Sequence, residues 1–310
     1  MNPYSIAIHG GAGTITPASM TKEKEQLYRK ELELALIAGY NILAAGGSAV
    51  EAVTESVKLL EDCPLFNAGR GSVFTKEGKH EMDAAIMEGK NLSAGAVAGI
   101  RSVRNPILLS KVIMEHSDHV FLTGDGAEEF ARKYNLAFEA EEYFFTRHRY
   151  EQWMSVRDSN IFMLDHTEEV TANKVGTVGA VALDQDGNLA SATSTGGMTN
   201  KNFRRIGDTP VIGSGTYANN NTCAVSCTGH GEFFIRAVVA YDVSCLMEYK
   251  GLSLQEACQV VVNDKLVKIG GEGGLIAVDA KGNIAMPFNC EGMYRASRFM
   301  QEDVFVGIYK

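Results

Sequence analysis

The sequence predicts an α+β fold in which two antiparallel sheets stack face to face with helices on the outside. Three observations carry this expectation. Residues 181–190 (VALDQDGNLA) and 276–285 (IAVDAKGNIA) echo one another, each an alternating strand, a D-x-x-G-N turn and a return strand. Stretches with apolar residues at helical spacing precede and follow these hairpins. Of the 32 glycines, 15 cluster at 10–13, 69–71, 196–197, 213–215, 229–231 and 270–274, at the ends of strand-like runs where backbone must come close to another strand or a ligand. Elements with one apolar face bury it by stacking in layers, and this set of elements suits a two-sheet arrangement.

Taken in order, the N-terminal residues read as a strand that runs straight into Gly10-Gly11-Ala12-Gly13. A helix is predicted over about 21–45, with Leu32, Leu36 and Leu43 on one face among Glu and Lys, ended by Gly46-Gly47. Ser48-Ala49-Val50-Glu51 has the form of a capping box and opens a second helix to about residue 60. Residues 66–100 read as glycine-punctuated β structure that includes Met82-Asp83-Ala84-Ala85-Ile86-Met87, and helices follow over 106–117 and 126–133. From about 138 to 173 the chain is charged, aromatic and irregular, which reads as a partly mobile connector reaching to 176. The best helices of the second half are expected over 231–249 and 254–267.

A chain of 310 residues can bury a large core, and its 45% hydrophobic and 22% charged residues are ordinary globular values. A formal net charge of −9 argues against nucleic acid or an anionic membrane as a partner, since those need clustered cations. It leaves room for a small anionic substrate, because one arginine captures a carboxylate locally. The N-terminus lacks the basic and apolar regions of a secretory signal, and no apolar run approaches a membrane span. The six cysteines are scattered, and Cys223 and Cys227 are spaced too widely for a C-x-x-C motif. Buried free thiols in a cytoplasmic protein are expected.

Gly176-Thr177 is the pair that points to chemistry. It lies between the charged connector and the alternating strand Val178-Gly179-Ala180-Val181-Ala182-Leu183. A mid-chain threonine is a poor nucleophile: its hydroxyl is barely ionised and its backbone nitrogen is an amide. Were the bond before it to break, that nitrogen would become an amine with a pKa of roughly 7.7–8.0, able to serve as base for its own hydroxyl. Gly176 leaves little bulk around the scissile carbonyl. Taken alone, a strand threonine is explained by β-branching, so the assignment rests on what surrounds it.

The motifs Gly176-Thr177-Val178-Gly179, Ser194-Thr195-Gly196-Gly197-Met198-Thr199-Asn200-Lys201 and Cys227-Thr228-Gly229-His230-Gly231-Glu232 resemble the plant-type asparaginase/isoaspartyl peptidase family of N-terminal-nucleophile hydrolases. His9-Gly10-Gly11-Ala12-Gly13, Asn67-Ala68-Gly69-Arg70-Gly71-Ser72 and Arg205-Ile206-Gly207-Asp208 extend the resemblance, in order, over nearly the whole chain. It implies a four-layer αββα sandwich forming one structural domain. It further implies a precursor that cleaves itself between Gly176 and Thr177 into an α-subunit (1–176) and a β-subunit (177–310), assembled as (αβ)2. The implied activity is hydrolysis of L-asparagine and β-aspartyl (isoaspartyl) dipeptides, with no cofactor for the chemistry.

The resemblance assigns roles residue by residue. Thr177 is the nucleophile, Thr195 lies beside it, and Thr228 with the Gly229 N–H forms the oxyanion hole. Arg205 and Asp208 clamp the α-carboxylate and α-ammonium of the aspartyl moiety, with the Gly231 carbonyl as a further acceptor. Gly10 and Gly11 lie against the nucleophile, and Asn67 shapes the pocket. The loop through Leu60, Glu61, Cys63, Phe66, Ala68 and Arg70 resembles one that wraps a structural sodium ion with backbone carbonyls. Arg204 departs from the pattern, standing where the family commonly has glycine. His9 reads as a structural histidine, and His116 with His119 as a solvated helix end. Three other readings are open: a hydrolase of glycosylated asparagine, a phosphate- or nucleotide-binding module on Gly10–Gly13, and an uncleaved storage or assembly form.

Overall fold

The computed structural model describes residues 2–158 and 176–310. Its main sheet has eight strands, in the order β12-β11-β1-β5-β6-β2-β3-β4. In chain order these are β1 (Ser5–Gly13), β2 (Met82–Glu88), β3 (Ala94–Ile100), β4 (Phe121–Thr123), β5 (Val178–Leu183), β6 (Leu189–Thr195), β11 (Gly292–Phe299) and β12 (Phe305–Tyr309). Among the described strand pairs only β3–β4 is parallel. A second sheet, β10-β9-β8-β7, is built from β7 (Thr216–Ala218), β8 (Cys223–Gly229), β9 (Gly273–Asp279) and β10 (Ile284–Ala285).

The two hairpins read from sequence fall one in each sheet, and both turns form for the same reason. Asp184 Oδ1 accepts from the amides of Asp186 and Asn188, and Asp279 Oδ1 from those of Lys281 and Asn283. An aspartate closing on its own downstream backbone in this way fixes the turn.

Strand β5 shows how the layers are held. It is buried on both faces, and its alternation divides between two cores. Ala180 and Ala182 pack with Leu32, Leu36, Val53 and Val57, from helices α1 (Lys22–Ala44) and α2 (Ala49–Asp62). Val181 and Leu183 join the other core with Val225, Ile276 and Val278 of the second sheet. Beyond that sheet lie α8 (Val239–Lys250) and α9 (Leu254–Gln259), which bring Val243 and Cys258 into the same core. Each Val or Leu fully buried in this way stabilises the fold by about 1.5–3 kcal/mol. The result is the helix–sheet–sheet–helix stack expected of the sequence.

Local signals set most element ends. Thr21 caps α1, and Ser48 with Glu51 forms the full capping box of α2. Helices α3 (Pro106–His116) and α4 (Gly124–Lys133) start and stop within two residues of expectation.

Three expectations are corrected. Residues 66–81 are a loop with one 3-10 turn at Gly69–Gly71, and strand begins only at Met82. The helix expected over 231–249 breaks at Val238 (φ 50°) into α7 (Gly231–Ala237) and α8. There the first amides of α8 turn to the Gly213 and Ser214 carbonyls instead of the preceding turn. The stretch read as irregular holds two helices, α5 (Glu141–Phe144) and α6 (Arg147–Val156); the rest of that connector, 159–175, lies outside the described residues.

Candidate active site

Thr177 immediately precedes β5, at the centre of the main sheet, and is buried. The β5–β6 register pairs Val178 with Ser194, which sets Thr177 beside Thr195. The Thr177 hydroxyl donates to Thr195 Oγ1 at 3.2 Å, and the Thr195 hydroxyl donates to the Gly176 carbonyl at 3.2 Å. The Gly197 amide donates to the same Thr195 oxygen at 3.0 Å and fixes it. One hydroxyl therefore touches both the expected nucleophile and the carbonyl of the bond expected to break.

The second sheet comes unusually close at this point. A side chain on Gly179 would collide with Ser226 Oγ and His9 Nε2, so only glycine allows the sheets to meet one residue past Val178. His9 is fully buried, and that burial pushes its imidazole down to about 3, against the opposing pull of the Thr177 carbonyl. It is therefore neutral. A carbonyl only accepts, so Nδ1 carries the proton to Thr177 O at 3.0 Å, and Nε2 accepts from Ser226 Oγ at 2.9 Å.

Ser226 in turn accepts from the Thr193 hydroxyl at 2.7 Å, and Thr193 Oγ1 accepts from the Thr216 hydroxyl at 2.7 Å. His9, buried with both ring nitrogens bonded, is the satisfied structural histidine expected from the sequence, whereas Ser226, Thr193 and Thr216 were missed. The only signal was the density of Ser and Thr in 191–195.

Thr228 is the penultimate residue of β8 and has no exposure. Its oxygen accepts the Ala12 amide at 3.3 Å, and a hydroxyl that accepts in this way still has its own proton to donate. Gly229 must lack a side chain because Phe234 packs against it.

Gly10 and Gly11 lie within β1, where the pairing with β11 slips between His9 and Gly11. The Phe66 ring fills the space a Gly10 side chain would take. This placement corrects the phosphate-loop reading: 10–13 is strand, and α1 begins only at Lys22, so no helix N-terminus meets the glycines.

Asn67 is committed at both ends, donating to Gly197 O at 2.7 Å and accepting the Val73 amide at 3.0 Å. It holds the 196–197 turn that supports Thr195. Two carbonyls of the loop expected to wrap sodium, those of Phe66 and Ala68, accept the amides of Ala68 and Gly71. Each keeps a second lone pair, and neutral oxygen donors of this kind suit a hard cation. Buried Arg149 also donates to this loop, at Gly71 O (2.8 Å) and Leu65 O (3.4 Å). Among the described residues no cluster of acidic, histidine and cysteine side chains could hold a metal.

Arg205, Asp208 and Gly231 do converge. A Cβ on Gly231 would lie 2.7 Å from Arg205 Nη2 and 2.9 Å from Asp208 Oδ1, so the glycine keeps the space between the two charges open. Asp208 Oδ2 is buried with no hydrogen-bond partner. Burial pushes the Asp208 carboxyl up to about 7, against the pull of the Arg205 guanidinium. An orphaned carboxylate oxygen beside an arginine is complementary to an ammonium group next to a carboxylate.

Arg205 already makes a bidentate pair with Glu232, both contacts at 2.7 Å, which the sequence did not foretell. Burial alone would raise the Glu232 carboxyl, but His230 and Arg205 outweigh it and hold that group far below the usual range. A substrate carboxylate therefore has to share Arg205 with Glu232.

All six cysteines are unpaired, and five of them are buried. Among the described residues no helix is long and apolar enough to cross a membrane.

Comparison with known proteins agrees with this geometry. The family model described as "Asparaginase" matches residues 1–307. The chain is similar to the isoaspartyl peptidase of Escherichia coli (strain K12), 53% identical over 312 residues, covering 100% of this chain and 97% of that protein. It is also similar to the isoaspartyl peptidase/L-asparaginase of Xenopus laevis, 42% identical over 306 residues (98% of this chain, 94% of that protein). The probable isoaspartyl peptidase/L-asparaginase 2 of Arabidopsis thaliana is 42% identical over 317 residues (95% of each).

Proposed function

The chain belongs to the asparaginase family, and from that premise we propose that it hydrolyses L-asparagine and β-aspartyl dipeptides through Thr177 after cutting itself at Gly176–Thr177. The observation that carries the reading is the Thr195 hydroxyl, bonded at once to Thr177 Oγ1 and to Gly176 O.

In the precursor, Thr177 Oγ attacks the Gly176 carbonyl carbon. Its proton passes to Thr195 while the Thr195 proton passes to the carbonyl oxygen, giving a neutral tetrahedral adduct. Collapse of the adduct expels the Thr177 nitrogen, which takes a proton and becomes an amine, and leaves Gly176 esterified to Thr177. Water cleaves the ester and frees the hydroxyl.

In turnover the new amine accepts the proton of that hydroxyl. The oxygen attacks the side-chain amide carbon of the substrate, and the oxyanion is met by the Thr228 hydroxyl and the Gly229 N–H. Ammonia or the second amino acid leaves with a proton, and water hydrolyses the β-aspartyl ester. Arg205 and Asp208 hold the aspartyl carboxylate and ammonium, so the amide carbon is presented in one orientation.

Several finer points belong to the same proposal. The cleaved halves pair as (αβ)2, the enzyme works in the cytoplasm, and a sodium ion on the 60–70 carbonyls would stiffen the loop that bears Asn67. The experiment is an assay of wild type and Thr177→Ala on a β-aspartyl dipeptide and on an N-glycosylated asparagine. Wild type should cleave the dipeptide, and the variant should be an inert single chain. Ordinary turnover by Thr177→Ala, or cleavage of the glycosylated substrate alone, would refute the assignment.

A further inference from the structure

Beside the clamp lies a cleft whose lining includes the charged residues Glu81, Asp83, Arg101, Asp125, Lys201, Arg204 and Arg205. Its charges are unevenly matched. Glu81, nearly buried, accepts from Arg101 Nη2 at 2.6 Å and lies 3.9 Å from Arg204 Nε, so its strong bond is already made elsewhere. Lys201 is buried and donates to the Glu81 backbone carbonyl at 2.6 Å. Asp83, also buried, accepts the Gly99 amide on Oδ1, while its Oδ2 has no hydrogen-bond partner. The Arg204 side chain is 77% exposed and its guanidinium is largely uncommitted.

The backbone that carries Arg204 is costly to form. Phe203 (φ 53°) and Arg204 (φ 54°) are consecutive residues in the left-handed region, which glycine adopts without a Cβ penalty. Strain of this kind persists where the surrounding structure enforces it, often beside ligand sites.

The cleft shares its wall with the nucleophile's support. Asp83 is the register partner of Thr195, and Lys201 Nζ lies 3.1 Å from where a Gly197 Cβ would stand. Arg205 belongs to both cleft and clamp. A substrate whose aspartyl part sits on Arg205 and Asp208 has this space to receive its other part.

We propose that the cleft is the subsite for the residue a β-aspartyl dipeptide releases, with Arg204 gripping that residue's α-carboxylate and Asp83 Oδ2 accepting from its nitrogen. The proposal rests on the peptidase reading above and adds to it a residue, Arg204, that reads the free carboxylate of the released part. Asparagine, which releases only ammonia, has no group for Arg204 to hold. A guanidinium suits the task because it meets a carboxylate with two parallel hydrogen bonds.

The test compares kcat/KM for β-aspartyl-alanine and for its C-terminal amide, in wild type and in Arg204→Gly. Glycine fits the backbone at this position, so the variant is expected to fold. Wild type should prefer the free acid by about tenfold, mostly through KM, and Arg204→Gly should bring the ratio close to one. An Arg204→Lys variant should keep part of the preference. Equal rates on acid and amide in wild type, or a preference that survives in Arg204→Gly, would overturn the subsite. Failure of wild type to cleave either peptide or asparagine would overturn the functional reading, and the subsite with it.

Discussion

At Thr195 a single oxygen accepts from Thr177 and Gly197 and donates to Gly176, so on the proposed mechanism a substitution here should slow maturation as well as turnover. Asp208 makes the same point about binding. Its carboxyl is pushed by burial up to about 7, and only the ionised form can accept an ammonium. The KM for asparagine should therefore climb as pH falls below about 7. Asp208→Asn should raise KM throughout and remove that limb, as steady-state kinetics from pH 5 to 9 would check. Persistence of the limb in the variant would assign it to another group. The linkage runs the other way for stability. Because the folded value lies above the unfolded one of about 3.9, the stabilising effect of the neutral acid is complete below pH 4 and is lost as pH rises through about 7. The clamp binds best where it stabilises the fold least. Thr177, Thr228, Arg205 and Asp208 could be picked out as candidates in the sequence because each stands in a motif. Glu232 as the partner of Arg205 could not be, since it lies across the fold on α7 and nothing local couples the two.

Among the elements, β5 and β8 decide the site, for it is made where the two sheets approach. Gly179→Ala should push Ser226 and His9 away from the nucleophile strand. Overpacking of this kind typically costs about 1–3 kcal/mol, and the displaced His9 would release its hold on the Thr177 carbonyl. The variant should unfold at lower denaturant and mature more slowly, as gel analysis of fresh protein would show; wild-type maturation would mean that the close approach is not needed. The strands and their turns were readable because Asp184 and Asp279 write the turn locally. The His9–Ser226–Thr193–Thr216 chain was not, because its members sit on β1, β8, β6 and β7 and meet only after both sheets have stacked. The break at Val238 escaped for a similar reason: carbonyls from 213–214 impose it from outside the helix.

Across the whole molecule, the helix–sheet–sheet–helix stack followed from periodicity and two echoed hairpins, and the layers place Thr177 and Thr228 on facing sheets. Composition alone contributed only an expectation: a net charge of −9 argues against a general basic surface. On the proposed function, this framework breaks one of its own peptide bonds to make a catalyst. Intact-mass analysis of freshly purified, fully active protein, with N-terminal sequencing of the products, addresses that claim most directly. It should give two polypeptides, one of them beginning Thr177-Val178-Gly179-Ala180. A fully active sample containing one 310-residue chain would contradict it.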